Sequence, residues 1–154
     1  MNKRGFTLVE ILIVITIIGI LVATLISVFD PVAQIKKGND TNRKNDIKQY
    51  QVALENYSAE NSSLYPVRAT TVKAYTLCSG SGPLESYMSG CLEDKKYTED
   101  NTYQYSYQSD ANGLSWVLWA KLQSKTNYWV MCSNGKSGEK SQTGFSVSGG
   151  SCPI

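Results

Sequence analysis

Lys3-Arg4-Gly5-Phe6-Thr7-Leu8-Val9-Glu10 runs directly into Ile11-Leu12-Ile13-Val14-Ile15-Thr16-Ile17-Ile18-Gly19-Ile20-Leu21-Val22-Ala23-Thr24-Leu25-Ile26-Ser27-Val28-Phe29. Positions 11–29 are 19 consecutive residues without a charge. At helical rise they extend about 28 Å, close to the hydrocarbon thickness of a bilayer. The hydroxyls of Thr16, Thr24 and Ser27 can bond back to carbonyls of their own helix, so they cost little there. The segment can cross a membrane. A cleavable secretory signal fits less well, because its apolar core is about 7–15 residues long and a small-x-small site follows it. This core is longer, Phe29-Asp30-Pro31 follows it, and Glu10 stands at its start.

The remainder of the 154 residues is polar, for the mean hydropathy is −0.25 despite that apolar run. The length suits one compact domain, with or without an appendage. Fifteen Lys and Arg against thirteen Asp and Glu leave a charge of +2, which gives no support to a nucleic-acid-coating role. There is no histidine. That removes Ser-His-Asp and Cys-His catalysis and most transition-metal sites. The four cysteines show no Cys-x-x-Cys spacing, which argues against zinc. No motif places the many serines beside a lysine for catalysis. The expectation is a non-enzyme with no catalytic residue, metal or cofactor.

Beyond the apolar run, Ile47, Tyr50, Leu54 and Tyr57 recur at i, i+3, i+7 and i+10, one stripe of an amphipathic helix. Between Lys36 and Asp46 there is no apolar residue, and no core is expected beneath that stretch. The basic positions from Lys36 to Lys48, interrupted by Asp40 and Asp46, read as a solvated helix face or a subunit contact, in preference to a nucleic-acid site. Pro31 can begin a helix or kink one. Tyr65-Pro66 demands extended backbone, so the helix should stop near Asn61. Residues 62–101 read as loop. Thr102 to Gln108 alternates as a strand, and a turn at 109–113 leads to a second strand, Leu114–Leu122, with Leu114, Trp116, Leu118, Ala120 and Leu122 on one face. A third strand covers Tyr128–Cys132. After that the chain is rich in Gly and Ser, with at most a short strand around Phe145–Val147. The aromatic group Tyr103, Tyr105, Tyr107, Trp116, Trp119, Tyr128 and Trp129 reads as core and cross-strand pairs, with a stacking or glycan-binding face as the alternative. Val117 and Trp119 face the other way and need cover from the 62–101 loop, the tail or another subunit.

Orientation has two opposing indications. Counting Lys36, Lys37, Arg43, Lys44 and Lys48 against Lys3 and Arg4 would leave the C-terminal part in the cytoplasm, but long domains translocate largely regardless of charge. An even cysteine count in a small polar domain suits an oxidising compartment. The cysteines decide for export.

The run Lys3-Arg4-Gly5-Phe6-Thr7-Leu8-Val9-Glu10 before an apolar helix resembles the class III signal of type IV pilins and pseudopilins, with recognisable likeness over roughly residues 3–66. The resemblance implies cleavage after Gly5 by a prepilin peptidase, with Phe6 as the new, N-methylated amino terminus. Loss of Lys3 and Arg4 brings the side-chain charge to zero. It also implies that Glu10 pairs with the Phe6 amine of a neighbouring subunit. By sequence, Phe6 and Glu10 are also i, i+4 neighbours in one helix, and the plainer reading of Glu10 is a carboxylate among lipid headgroups. The short leader and Phe6 resemble the type IVa and pseudopilin group, and Asn61-Ser62-Ser63-Leu64-Tyr65-Pro66 resembles the helix exit of major pseudopilins. Those proteins often carry a calcium loop near the C-terminus. Residues 133–154 hold one acid, Glu139, too few for a carboxylate cage.

The four cysteines allow three connectivities. The resemblance implies Cys132–Cys152, the disulfide bounding the C-terminal loop of many pilins. Sequential pairing adds Cys78–Cys91, and the two bridges would each remove about 3 kcal/mol of unfolded-state entropy in the loop model. The expected organisation is a leader at 1–5, a transmembrane and filament-core helix at 6–29 and an amphipathic helix at 30–61. A loop region at 62–101, an antiparallel meander at 102–132 and a disulfide-bounded loop at 133–154 follow. The expected fold is α+β: one long helix from about 6 to 60, its C-terminal half packed on three or four antiparallel strands, giving a ladle shape. The implied function is a pilus subunit, held once across the inner membrane and then polymerised at the cell surface. Its partners would be identical subunits, the peptidase, and an assembly platform with its ATPase. A pseudopilin of a type II secretion or DNA-uptake system is the alternative, and a membrane-anchored extracytoplasmic binding domain a more distant one.

Overall fold

The structure, a computed structural model, describes residues 5–28 and 30–154, and side chains outside 26–29. Lys3, Arg4, Phe29 and the Ser27 hydroxyl therefore lie outside the described residues. The chain divides into two compact units, residues 1–35 and 36–154.

In the first unit, α1 spans Leu8–Val28. Its Ile, Val and Thr content would weaken a helix in water. In an apolar medium only internal pairing satisfies the backbone, and a helix supplies that within one segment. Thr16 Oγ1 donates to the Ile13 carbonyl at 2.7 Å and Thr24 Oγ1 to the Leu21 carbonyl at 2.8 Å, so these hydroxyls are satisfied inside the helix.

The single helix expected from 6 to 60 is two helices, with α2 running Pro31–Glu60. Asp30 accounts for the new start. Its Oδ1 accepts from the N–H of Val32 at 2.9 Å and Ala33 at 3.1 Å, an N-cap followed by proline at the first helical position. Proline has no N–H to continue a preceding helix.

In the second unit, five antiparallel strands lie in sequence order: β1 Val72–Lys73, β2 Tyr105–Ser109, β3 Trp116–Lys121, β4 Asn127–Cys132 and β5 Ser137–Ser141. One face packs on α2. Ile47, Tyr50 and Leu54 of the helical stripe are buried against Tyr105, Tyr107, Trp116, Leu118, Ala120 and Met131, with Tyr57 at the edge of the cluster. The other face carries Val117, Trp119, Val130 and Cys132, covered by Phe145, Val147, Cys152 and Ile154 of the tail. The layout is α+β and fits the pilin fold.

Several local expectations are corrected. Leu114 is 65% exposed, because Asp110 Oδ1 accepts from the N–H of Leu114 and Ser115 and holds both in the turn; the β2–β3 ladder opens only at Ser109 opposite Trp116. Residues 145–147, expected to hold at most a short strand, form none. The sheet instead gains β5, whose Ser-Gly-Glu-Lys-Ser sequence is largely exposed and so carries no apolar alternation to betray it. Residues 62–101, read as loop, contribute β1 and a short helix, α3 Tyr75–Cys78. The tail is seated by Gly150, at φ +69°, where a Cβ would lie 2.6 Å from both Asp110 N and Ser115 O.

The largest correction concerns the stretch from Lys36 to Asp46. Asp40 and Arg43 are buried, at 5% and 3% exposure. The Asp40 carboxylate accepts from Gln123 N at 2.6 Å, Ser124 N at 2.9 Å, Ser124 Oγ at 2.5 Å and Arg43 Nη1 at 2.8 Å. Arg43 also holds Asp94 through Nε and, at 3.1 Å, through Nη2. Polar residues thus clasp α2 to the β3–β4 turn and the segment after Cys91. Burial works to raise the Asp40 pKa, but the hydrogen bonds from Gln123, Ser124 and Arg43 outweigh it and hold the group below its ordinary value. A depressed carboxylate stabilises the fold above its unfolded pKa and loses that contribution as pH falls through the folded value.

Arg43→Met leaves two carboxylates without their cation in a buried setting. It should cost about 3–5 kcal/mol, read as a lower unfolding midpoint of the full chain in detergent. An unchanged midpoint would show that the clasp does not hold the head together.

Candidate functional site

The amino-terminal end of α1 is built by Thr7 and Glu10. Thr7 occupies the N-cap and Glu10 the third helical position. Glu10 Oε2 accepts from Thr7 N and Thr7 Oγ1, both at 2.9 Å, and Glu10 N donates back to Thr7 Oγ1 at 3.3 Å. This is a reciprocal capping box, which satisfies helix-end donors that otherwise have no partner. Thr7 is the functional residue that sequence reasoning passed over, although the Thr-x-x-Glu spacing before an apolar run was a legible signal.

The box engages one carboxylate oxygen. Glu10 Oε1 makes no hydrogen bond among the described residues. Joined to Gly5, the Phe6 nitrogen is a neutral amide and brings no charge to Glu10. The geometry therefore leaves one acceptor available to a cation while the other keeps the helix capped. Phe6 is 79% exposed, and a Cβ built on Gly5 meets nothing within 4 Å, so the backbone at this junction is open to approach.

Behind the cap, the described side chains from Leu8 to Leu25 are all exposed. This is the one span among the described residues long and apolar enough to cross a membrane. Among the described residues nothing within its own unit buries it, and a helix this apolar suits lipid or a bundle of other helices.

In the second unit the cysteines are joined as Cys78–Cys91 and Cys132–Cys152, with Cα separations of 5.4 and 5.7 Å. The second bridge pins the tail to β4. Glu139, the tail's single acid, is taken by Lys125 at 2.9 Å, Asn127 at 3.2 Å and Lys44 at 3.4 Å. Among the described residues no group of three or more His, Cys, Asp or Glu could hold a metal. The aromatic residues split by position. Tyr105, Tyr107 and Trp116 lie in the core under α2, whereas Tyr103, just before β2, has Arg43, Lys121 and Lys96 within 4.7–5.0 Å of its ring centre.

Residues 1–26 match the family model described as the prokaryotic N-terminal methylation motif, the class III signal of type IV pilins. No curated protein matches the chain. The motif supports a pilin-like or pseudopilin precursor, a structural class and not a catalytic one. It implies peptidase processing and assembly into a homopolymer in general terms, and with the apolar helix it fits membrane anchoring before assembly.

Thr7→Val removes the cap hydroxyl while keeping the side chain's shape. It should destabilise the first turn of α1 by about 1 kcal/mol, visible as faster amide exchange at Glu10 in micelles. Unchanged protection would show that the box does not hold this end.

Proposed function

We propose that the chain is a prepilin, cut after Gly5, N-methylated at Phe6, and polymerised through α1 into a type IV pilus filament. The observation that carries this reading is the exposed apolar α1, interrupted near its start by a single capped carboxylate. A membrane accepts such a helix singly, with Glu10 at the interface. A filament accepts it only as one of many, because helices must then cover one another and Glu10 must find a cation. An unpaired carboxylate in apolar surroundings costs several kcal/mol. The Phe6 amine released by cleavage is the nearest cation the mature sequence supplies, since the next is Lys36. A neighbouring subunit's amine can approach Oε1 without displacing Thr7 from Oε2, so capping and pairing coexist on one side chain.

Cleavage and assembly are then coupled by charge. Before the cut, Lys3 and Arg4 favour the membrane surface and Glu10 lacks its amine. After the cut the basic leader is gone and the ion pair can form. The partners are identical subunits, a prepilin peptidase, and an assembly platform with its ATPase. The exported head, stapled by two disulfides, suits the extracytoplasmic side.

A pseudopilin of a secretion or DNA-uptake system is the second reading, favoured by the helix exit at Asn61–Pro66. The engagement of Glu139 by two lysines and an asparagine supports the pilus reading over a calcium-loop pseudopilin.

Glu10→Gln keeps the cap's acceptor but removes the charge. Processing and membrane insertion should be normal, while sheared filaments fall at least about tenfold, the loss of one charge-assisted bond. Unchanged filament yield would refute the pairing role. Because a Cβ at Gly5 meets nothing within 4 Å among the described residues, Gly5→Val tests peptidase access. The full-length subunit should accumulate in the membrane, and recovery of the normal shortened subunit would contradict the assignment of the cut.

A further inference from the structure

The sheet face opposite α2 is divided. Over β3 and β4 the disulfide-pinned tail covers it. Over β1 and β2 it is open, forming a groove of about 540 Å³. That volume lies within the range of small-ligand sites.

The lining has three parts. Tyr97, Trp119 and Tyr128 supply aromatic rings, Asn101, Gln104 and Ser106 supply neutral polar groups, and Lys73 is the one charged side chain. No carboxylate lines the groove. Lys73 sits opposite Ser106 in the β1–β2 ladder. Its ammonium donates to Tyr97 Oη and lies 4.4 Å from that ring's centre, so further N–H donors remain for a ligand.

The neutral groups are short of partners. Ser106 is 4% exposed and Trp119 is 8% exposed, yet the Ser106 hydroxyl and the Trp119 indole N–H bond to no other described residue, and neither do the amides of Asn101 and Gln104. Gln108, the next residue on this face of β2, is treated differently. Its Nε2 donates to Ala69 O at 2.9 Å and its Oε1 accepts from Thr71 Oγ1 at 3.0 Å. Gln108 is thus held within the chain, whereas Ser106, Asn101 and Gln104 in the groove keep their side-chain polar groups open to it. These open donors and acceptors can meet the hydroxyls of a ligand in place of water.

We propose that this groove binds an acidic saccharide, a sugar unit carrying a carboxylate. Primary amides and hydroxyls match vicinal sugar hydroxyls because both sides donate and accept. The half-buried rings of Tyr97 and Tyr128 accommodate the apolar C–H face of a pyranose. Lys73, unopposed by any acid in the lining, takes the carboxylate. A nucleic acid fits less well, because a polyphosphate calls for a row of cations along its track and the groove has one.

The test is calorimetric titration of the full chain, in a zwitterionic detergent without a sugar headgroup. The probes are three acidic oligosaccharides (hyaluronan, oligosialic acid and oligogalacturonate), neutral chitotetraose and a short single-stranded DNA. At least one acidic oligosaccharide should bind saturably, chitotetraose and DNA at least about tenfold more weakly. Lys73→Met and Asn101→Ala should each weaken the acidic ligand by about tenfold. Asn101 is exposed and unbonded, so its variant reports on the groove even if Lys73→Met disturbs the fold. Binding by none of the three acidic probes, equal or tighter binding of DNA or chitotetraose, or unchanged affinity in Asn101→Ala would overturn the proposal.

Discussion

A helix with no partner in its own unit is the constraint from which the rest follows. Residues 11–29 carry no charge, and the described side chains of α1 are all exposed. Burying each large apolar side chain yields about 1.5–3 kcal/mol, so this surface drives the helix into lipid or against other helices. Every polar feature of the segment answers to that demand. The threonine hydroxyls bond inward to their own helix, and Thr7 with Glu10 pairs two backbone N–H groups at its start. Glu10 is the exception that lends specificity: it is tolerable at an interface, and inside a helix bundle it requires a cation.

The head is built on a different principle. Its apolar core is ordinary, a helical stripe against alternating strand residues. Its attachment to α2 at the Lys36–Asp46 stretch is polar. Asp40, Arg43 and Asp94 form a buried clasp fixed by charge-assisted bonds to three separate segments. Buried ion networks of this kind stabilise little relative to apolar packing but are costly to break. They fix how segments meet.

Much of this was legible in the sequence, for identifiable reasons. The apolar run, the Ile47–Tyr57 stripe and the alternation around Trp116–Ala120 announce themselves because periodicity records burial directly. The double-faced sheet was also visible, since Val117 and Trp119 could not both be solvent-facing. What escaped was structure held by polar groups. Asp40 and Arg43 look like a solvated face because nothing in one sequence shows that Asp94 and the 123–124 backbone converge on them. β5 escaped because an exposed edge strand has no hydrophobic pattern, and Leu114 was miscounted because the Asp110 turn interrupts the alternation. The break before Pro31 was half visible, its cap by Asp30 being the missing part.

The central claim is that α1 becomes a polymer core after a cut that creates the amine for Glu10. Intact-mass and amino-terminal sequencing of the subunit recovered from sheared surface material tests it most directly. The account predicts a chain beginning at Phe6, carrying one added methyl group and both disulfides. A subunit that retains Lys3 and Arg4, or one cut beyond Phe29 so that α1 is lost, would contradict it.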